Sequence, residues 1–279
     1  GNEQREALAG HPGFLRELAE LALEDDDTVQ AIMDFEALAE CYRKKKRPRR
    51  AIEVYQRLLE LDDENLSAHF QLAELLTRVG QTREAVERYR YLTELLTDSS
   101  LRDSISWEFL ANVHERLVAI EPEDPEPREW LADHYLTRAG RPEEAAPHLL
   151  QLRAIYRRDE GRREALVGVL ERLIELRPDH LVLRRELVGA LTGAGETRRA
   201  VEACLELADL AEARDRPELA RRALERAVDE DPHDPAARAG LAGLLERLDE
   251  EVEAAEQYLL LGFLHRAEGD VEEAVAAID

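Results

Sequence analysis

The chain contains many residues of the types that enzymes use, but their spacing indicates no active site. Its eight histidines are dispersed, and none stands at a metal-ligand spacing from another histidine or from a cysteine. The 62 acidic residues include adjacent pairs such as Glu143-Glu144, which stabilise the helix dipole when they begin a helix. No nucleophile and base form the arrangement that covalent catalysis needs. We therefore expect a protein that is not an enzyme and that binds no cofactor and no metal.

A glycine-rich segment raises a second kind of chemistry, the binding of phosphate. Gly189, Gly193 and Gly195 lie close together, but no lysine follows them, and the segment joins two predicted helices rather than a strand and a helix. We assign these glycines to close helix packing and a turn. Gly189 and Gly243 leave room beside a helix, and we expect a partner helix to approach closest there.

The run from Arg43 to Arg50 is the strongest local charge anomaly. Seven of its eight residues are cationic, in a chain whose formal net charge is −24. It holds all the lysines of the chain, which are Lys44, Lys45 and Lys46. The run could bind an acidic protein, nucleic acid or anionic lipid. It could also be a solvated turn whose charges face acids such as Glu40 and the run Asp25–Asp27.

The charge of the whole chain limits the classes of partner. A net charge of −24 repels nucleic acid and anionic membranes and favours a partner with a basic surface. Only Tyr42 supplies an aromatic face beside the basic run, which further disfavours nucleic acid. No stretch approaches the roughly 18 consecutive apolar residues of a transmembrane helix. We expect the partner to be another protein or a peptide, and the sequence does not indicate an oligomeric state.

Composition points to a helical protein of the bacterial cytoplasm. Only 5% of the residues are aromatic, and alanine, leucine, glutamate and arginine, which form helices well, are abundant. Arginine almost replaces lysine, which is typical of a GC-rich bacterial genome. Cys41 and Cys204 lie far apart in sequence, so we predict two buried small hydrophobic residues and no disulfide bond. We predict that Trp107 and Trp130 are packing residues.

Apolar residues recur at the spacing of amphipathic helices almost throughout, with no alternating strand pattern. Ala51, Tyr55 and Leu58 are repeated 34 residues later as Ala85, Tyr89 and Leu92. Such a repeat indicates a pair of helices that must stack on a copy of itself. Further along, the small residue that begins the second helix recurs at spacings of 60, 55 and 54, at Ala85, Ala145, Ala200 and Ala254.

The longer spacing predicts a third helix in each later unit. The best example has helices at about 181–194, 196–213 and 217–230, and its middle helix carries apolar residues for two pairs. We divide the chain into an N-terminal helix at 12–26, two regular repeats at 30–99 and three-helix units at 100–279, all within one solenoid over 1–279. We also expect the chain to be part of a longer protein.

Several segments resemble the tetratricopeptide repeat (TPR) family. They are FEALAECYRKKKRPRRAIEVYQRLLELDD (35–63), QLAELLTRVGQTREAVERYRYL (71–92), WLADHYLTRAGRPEEAA (130–146) and RELVGALTGAGETRRAVEACLELADLAEARDRPELARRALERAVDEDP (185–232). The resemblance covers roughly residues 30–270. The chain departs from the family pattern in two ways. Its later units have a 54–60-residue spacing, and Lys46 stands where the first turn usually has glycine. It implies an all-α, right-handed superhelical solenoid of TPR-like helical hairpins.

The resemblance also implies a concave groove lined by the first helix of each pair, which binds another protein or a peptide. We assign to partner binding Glu36, Glu40, Arg43, Lys44, Lys45, Lys46, Phe70, Glu74, Arg78, Asp133, Leu136, Arg185, Gly189, Gly243 and Arg247. Phe70 and Leu136 are the apolar members of this set. The carboxylates of Glu36, Glu40 and Glu74 would repel a C-terminal carboxylate. We therefore expect no clamp for chaperone tails.

Two functions follow from the sequence. The first is a non-enzymatic scaffold or adaptor that holds a partner in its concave groove. The alternative is a ligand- or peptide-sensing regulatory domain of a larger multidomain protein. A deep, closed and apolar pocket on the inner face would favour sensing, and an open, charged groove would favour the scaffold.

Overall fold

The computed structural model describes residues 11–97 and 107–268, and within these ranges every regular element is a helix. The helices are α1 (Pro12–Glu24), α2 (Thr28–Lys44), α3 (Pro48–Leu59), α4 (Leu66–Arg78), α5 (Thr82–Thr97), α6 (Trp107–Ile120), α7 (Glu126–Asp133), α8 (Pro142–Tyr156), α9 (Arg163–Leu176), α10 (Leu181–Ala194), α11 (Thr197–Ala213), α12 (Pro217–Glu230), α13 (Pro235–Arg247) and α14 (Glu251–Glu268). A π-helical turn occupies His134–Arg138, and a 3-10 turn occupies Glu160–Arg162.

The chain forms two compact units, unit 1 over Gly1–His134 and unit 2 over Tyr135–Asp279. Within each unit, the helices pack chiefly on their neighbours in sequence. This order of contacts is typical of a repeat protein, in which each element buries its apolar face against the next. The prediction of an all-α helical-repeat fold is confirmed.

Helix α11 packs on both α10 and α12. The observed helices α10, α11 and α12 match the predicted three-helix unit to within one residue. Both apolar stripes of α11 are buried. One contains Ala200 and Cys204, and the other contains Leu207, Ala208 and Ala211. One helix therefore serves two pairs, as the sequence predicted.

Both cysteines are buried and free, as predicted. Burial raises the pKa of the Cys204 thiol to about 11. A thiol of this kind is almost entirely protonated near neutral pH and is a poor nucleophile. Cys204 therefore serves the core of unit 2 as a small apolar residue.

Lys46 occupies the left-handed conformation that glycine adopts in the corresponding turns. Its φ angle is 54°, and those of Gly80, Gly140 and Gly195 are 83°, 62° and 76°. The amide of Arg47 donates to the carbonyl of Tyr42, as the amide after Gly195 does to its own helix. The turn keeps its shape without glycine, at a cost of about 1–2 kcal/mol for the left-handed backbone.

The turn before a first helix is stabilised in the same way four times. In each case, a side chain hydrogen-bonds the main-chain carbonyl six residues before it. The pairs are His69 Nε2 with Asp63 O (2.8 Å), Arg128 Nε with Pro122 O (3.4 Å), Arg184 Nε with Pro178 O (2.8 Å) and Arg238 Nε with Pro232 O (2.8 Å). The four carbonyls are 59, 56 and 54 residues apart. The turns from residue 63 onward therefore recur at the 54–60-residue spacing that the sequence shows.

Trp130 lies between two histidine rings in unit 1. Its ring centroid is 4.2 Å from that of His114 and 5.0 Å from that of His134, and both pairs are nearly parallel. Nδ1 of His114 is buried and forms no hydrogen bond. Burial, with a smaller effect from His134, lowers the pKa of His114 to about 4. Trp130 thus packs inside the unit, as the sequence predicted.

Removing the Arg238 side chain should destabilise unit 2. In Arg238→Ala, the Pro232 carbonyl loses a 2.8 Å hydrogen bond and Gln257 loses one of 3.1 Å, so we expect the free energy of unfolding to fall by about 1–2 kcal/mol. Urea unfolding of the whole chain measures this change. The control is Arg222→Ala, because Arg222 is exposed on α12 and forms no hydrogen bond or ion pair with the described residues. Equal unfolding midpoints for the two variants would contradict the role of the turn.

The stability of unit 1 should depend on the protonation of His114. Its pKa of about 4 in the folded chain lies below the ordinary value of 6.5, so the unfolded chain binds the proton first as the pH falls. Stability is then lost between these two pH values, by at most about 3 kcal/mol. Urea unfolding at pH values above 6.5 and near 4 should show a smaller loss for His114→Phe than for the original chain. The same loss in both would show that other groups cause the pH dependence.

Candidate partner-binding surface

The predicted partner-binding residues lie mainly on the first helices, α2 and α4 in unit 1 and α10 and α13 in unit 2. Residues three or four apart on a helix share a face. These faces carry Glu36, Glu40, Arg43 and Lys44 on α2, Phe70, Glu74 and Arg78 on α4, Arg185 and Gly189 on α10, and Gly243 and Arg247 on α13. Their surroundings divide them into residues that support the fold and residues that are free to bind.

The exposed face of α2 carries two apolar side chains that the sequence analysis missed. Val29 is 71% exposed and Met33 is 58% exposed. They continue the line of Glu36 and Glu40 along the helix at intervals of four, three and four residues. Glu36 forms no hydrogen bond or ion pair with the described residues. The available signal was Met33 itself, a large apolar residue at a position where the second repeat has Ser67.

Arg43 supports the fold of unit 1. Its Nη1 lies 3.2 Å from Glu40 Oε2 on the same helix, and it also donates a hydrogen bond to Gln71 on α4. A hydrogen bond from Arg43 also reaches Tyr55 on α3, whose pKa is raised by burial. Arg43 thus links three consecutive helices, and binding a partner would compete with these contacts.

Glu74 also makes its contacts inside unit 1. The Tyr89 hydroxyl donates to it at 2.7 Å, and Arg116 Nε lies 3.0 Å away. Burial, followed by the hydrogen bond to Glu74, raises the pKa of Tyr89. Phe70 is half-buried, with its ring centroid 5.3 Å from that of Phe109. These contacts connect α4, α5 and α6. Arg78, at the end of α4, is exposed and has no partner among the described residues.

The basic run is partly neutralised by its own helices. Arg43 and Lys44 pair with Glu40, and Arg50 pairs with Glu53. Four exposed cations of the turn form no ion pair within the described chain, namely Lys45, Lys46, Arg47 and Arg49. None of the run pairs with Asp25–Asp27. The interpretation as a turn neutralised by neighbouring acids therefore applies only to the ends of the run.

In unit 2, the two predicted glycines differ. A Cβ added at Gly189 would meet nothing within 4 Å, and this residue lines a pocket together with Arg185. A Cβ at Gly243 would lie 3.5 Å from Nη1 of Arg247, which itself pairs with Glu212 at 2.6 Å. Arg247, which is also a predicted site residue, therefore fills part of the space beside Gly243. The space beside Gly189 is open.

Asp133 and Leu136 lie where the helix changes its geometry. Asp133 is the last residue of α7, and Leu136 belongs to the π-helical turn that follows. A π-turn contains one more residue per turn than an α-helix. The α-helical register of α7 therefore does not continue to Leu136. Asp133 is exposed and Leu136 is half-buried.

Other kinds of site are not evident in the described part of the chain. Residues 11–97 and 107–268 contain no group of three or more histidine, cysteine or acidic side chains arranged to hold a metal ion. No helix in the same ranges is both long enough and apolar enough to cross a membrane.

Two sequence models of the tetratricopeptide repeat match the chain. One matches residues 205–262, which span the end of α11 to most of α14. The other matches residues 35–67 and 148–181, one segment in each unit. No curated protein sequence is similar enough to match.

Several solved structures match the chain at low sequence identity and low TM-score. BtubC from P. vanneervenii is 18% identical, with 95% of this chain and 84% of that chain covered and a TM-score of 0.31. YrrB, titled a TPR protein with an unusual peptide-binding site, is 13% identical, with coverages of 93% and 96% and a TM-score of 0.28. The TPR2AB domain of yeast Sti1, in a complex with pHSP90, is 12% identical, with both coverages at 96% and a TM-score of 0.27.

The matched sequence models agree with the helical repeat, the buried alanine positions and the recurring turns of the structure. The matches, over residues 35–67, 148–181 and 205–262, support a TPR-like repeat protein.

Proposed function

We propose that the chain is a non-enzymatic interaction scaffold and that its partner protein binds on the face of α2 in unit 1. The observation that carries this proposal is the line of Val29, Met33 and Glu36. Two exposed apolar side chains there adjoin a carboxylate without a partner. Apolar groups that remain exposed in this way mark interaction surfaces when they are grouped together. Glu74, by contrast, already has two partners inside the unit.

The chemistry of this face favours a basic partner that also carries an apolar side chain. Glu36 supplies negative charge, and the net charge of −24 would draw a basic protein towards the chain. Met33 is flexible and polarisable, so it can adapt to an apolar side chain of the partner. Together these groups would supply attraction at long range and contact area at short range.

The sensing alternative requires a deep, closed and apolar pocket. A pocket of unit 2, between α8 and α10, is instead lined by twelve residues, seven of which are charged. This lining favours contact with a polar segment of a protein over enclosure of an apolar small molecule.

The proposal predicts that partner binding is lost when the face of α2 is changed. Met33→Asp removes the apolar contact and Glu36→Lys reverses the charge, so each should reduce capture of the partner about tenfold or more. Quantitative affinity capture from cells that naturally produce the chain, read by mass spectrometry, measures this loss.

Glu94→Lys is the matched control, because Glu94 is exposed on α5 and has no partner among the described residues. It makes the same charge change as Glu36→Lys outside the proposed face and should leave capture unchanged. Circular dichroism confirms that all variants are folded. If the α2 variants and the control capture the same proteins in the same amounts, the α2 face is not the binding surface.

A further inference from the structure

Unit 2 contains a pocket of about 470 Å³ between α8, the 3-10 turn, α9 and α10. Its volume is within the range of clefts that hold ligands. Four of its lining residues are arginines and three are carboxylates, in a chain with far more acidic than basic residues. The pocket therefore has more basic than acidic residues, whereas the protein as a whole has more acidic than basic ones.

The most enclosed carboxylate of the pocket, that of Glu186, is already neutralised. Arg153 donates to Glu186 Oε2 through Nε at 2.7 Å and lies within 2.6 Å of it through Nη2. The other oxygen, Oε1, accepts no hydrogen bond and lies 3.8 Å from Arg157 Nη1. Arg157 is 70% exposed, so one side of its guanidinium faces solvent while the other makes this long ion pair.

The two remaining carboxylates belong to the 3-10 turn. Asp159 accepts a hydrogen bond from the amide of Gly161 and pairs with Arg162 at 3.3 Å. Glu160 lies 3.8 Å from Arg163. The acids of the pocket therefore have their own cations. Arg185, which is exposed on α10, has no hydrogen bond or ion pair with the described residues.

Apolar groups form the other part of the lining. Tyr156, Leu166 and Ala190 are buried, and Val182 is 49% exposed at the pocket. Gly189 contributes no side chain, and the space that its Cβ would enter is empty of other atoms within 4 Å. Buried apolar groups beside an arginine that has no partner among the described residues suit a group with a hydrocarbon stem and an anionic end.

We propose that this pocket binds the side chain of an internal glutamate in a partner protein. The carboxylate pairs with Arg185 and Arg157, the methylene groups contact the apolar lining, and an apolar neighbour of the glutamate packs on Val182. This inference rests on the proposed scaffold function and assigns unit 2 a contact of opposite charge to that of α2.

The pocket favours an internal glutamate over two other anions. A carboxylate at a chain terminus has no methylene stem to contact the apolar lining. Nucleic acid carries a row of phosphates that needs many cations along its length, whereas this pocket offers Arg185 and the exposed side of Arg157, in a chain with a net charge of −24.

The test uses the whole chain and a fluorescent, acetylated and amidated peptide with the sequence Ser-Val-Glu-Val-Ser. Fluorescence anisotropy should detect binding at millimolar protein, and the peptide with Gln in place of Glu should bind about tenfold more weakly or less. Arg185→Ala should weaken binding of the Glu peptide by a similar factor. Gly189→Leu should do the same by filling the pocket, without strain because its Cβ has open space.

The matched control is Arg222→Ala, which removes another exposed arginine of unit 2 that has no partner among the described residues. It should leave peptide binding unchanged. Three results would overturn the proposal: no binding of the Glu peptide, equal binding of the Glu and Gln peptides, or equal effects of Arg185→Ala and Arg222→Ala. Equally tight binding of the Gln peptide with a free C-terminus would assign the pocket to a terminal carboxylate and would also overturn it.

Failure of the pocket proposal can be distinguished from failure of the scaffold proposal. Glu36→Lys and Met33→Asp lie in unit 1 and should not change binding of the Glu peptide to unit 2. If these two variants lose the natural partner but the Glu peptide fails to bind, the scaffold proposal holds and the pocket proposal fails. If peptide binding follows the predicted pattern but the α2 variants capture normally, the pocket is a binding site and the α2 face is not.

Discussion

A helix that packs between two others must bury an apolar stripe on each side, and this constraint determines where polar groups can remain. In α11, the stripes of Cys204 and Leu207 are both buried, so only a narrow face is left for charged residues. Small residues such as Ala200, which is fully buried, let the helices approach closely.

Two carboxylates on the first helices of unit 1 have different physical roles. Glu74 receives hydrogen bonds or ion pairs from Tyr89 and Arg116, which belong to the next two helices. Glu36, on the preceding first helix, has no such partners and lies beside exposed Met33. Because a paired carboxylate would have to give up its contacts to bind a partner, only the unpaired one can bind without a cost to the fold. The same distinction separates Arg43, which links three helices, from Arg185, which has no partner.

Much of the fold could be predicted from the sequence, because the alanine and leucine repeat reports directly on helix pairs. The bounds of α10 and α12 and the sharing of α11 followed from that pattern. The π-turn at His134–Arg138 could not be predicted, since one extra residue in a turn leaves the apolar spacing almost unchanged. The contacts of Glu74 and the pocket around Arg185 were also out of reach, because an apolar repeat places helices side by side but does not show which of their polar side chains meet.

The most direct test of the account is the stability of two alanine variants in unit 1. Glu74→Ala removes the partner of Tyr89 and Arg116, and we expect the free energy of unfolding in urea to fall by about 2 kcal/mol. Glu36→Ala removes no contact, and we expect a change within about 0.5 kcal/mol. Equal losses in the two variants, or a larger loss in Glu36→Ala, would contradict the division between supporting and binding carboxylates on which the proposed surface depends.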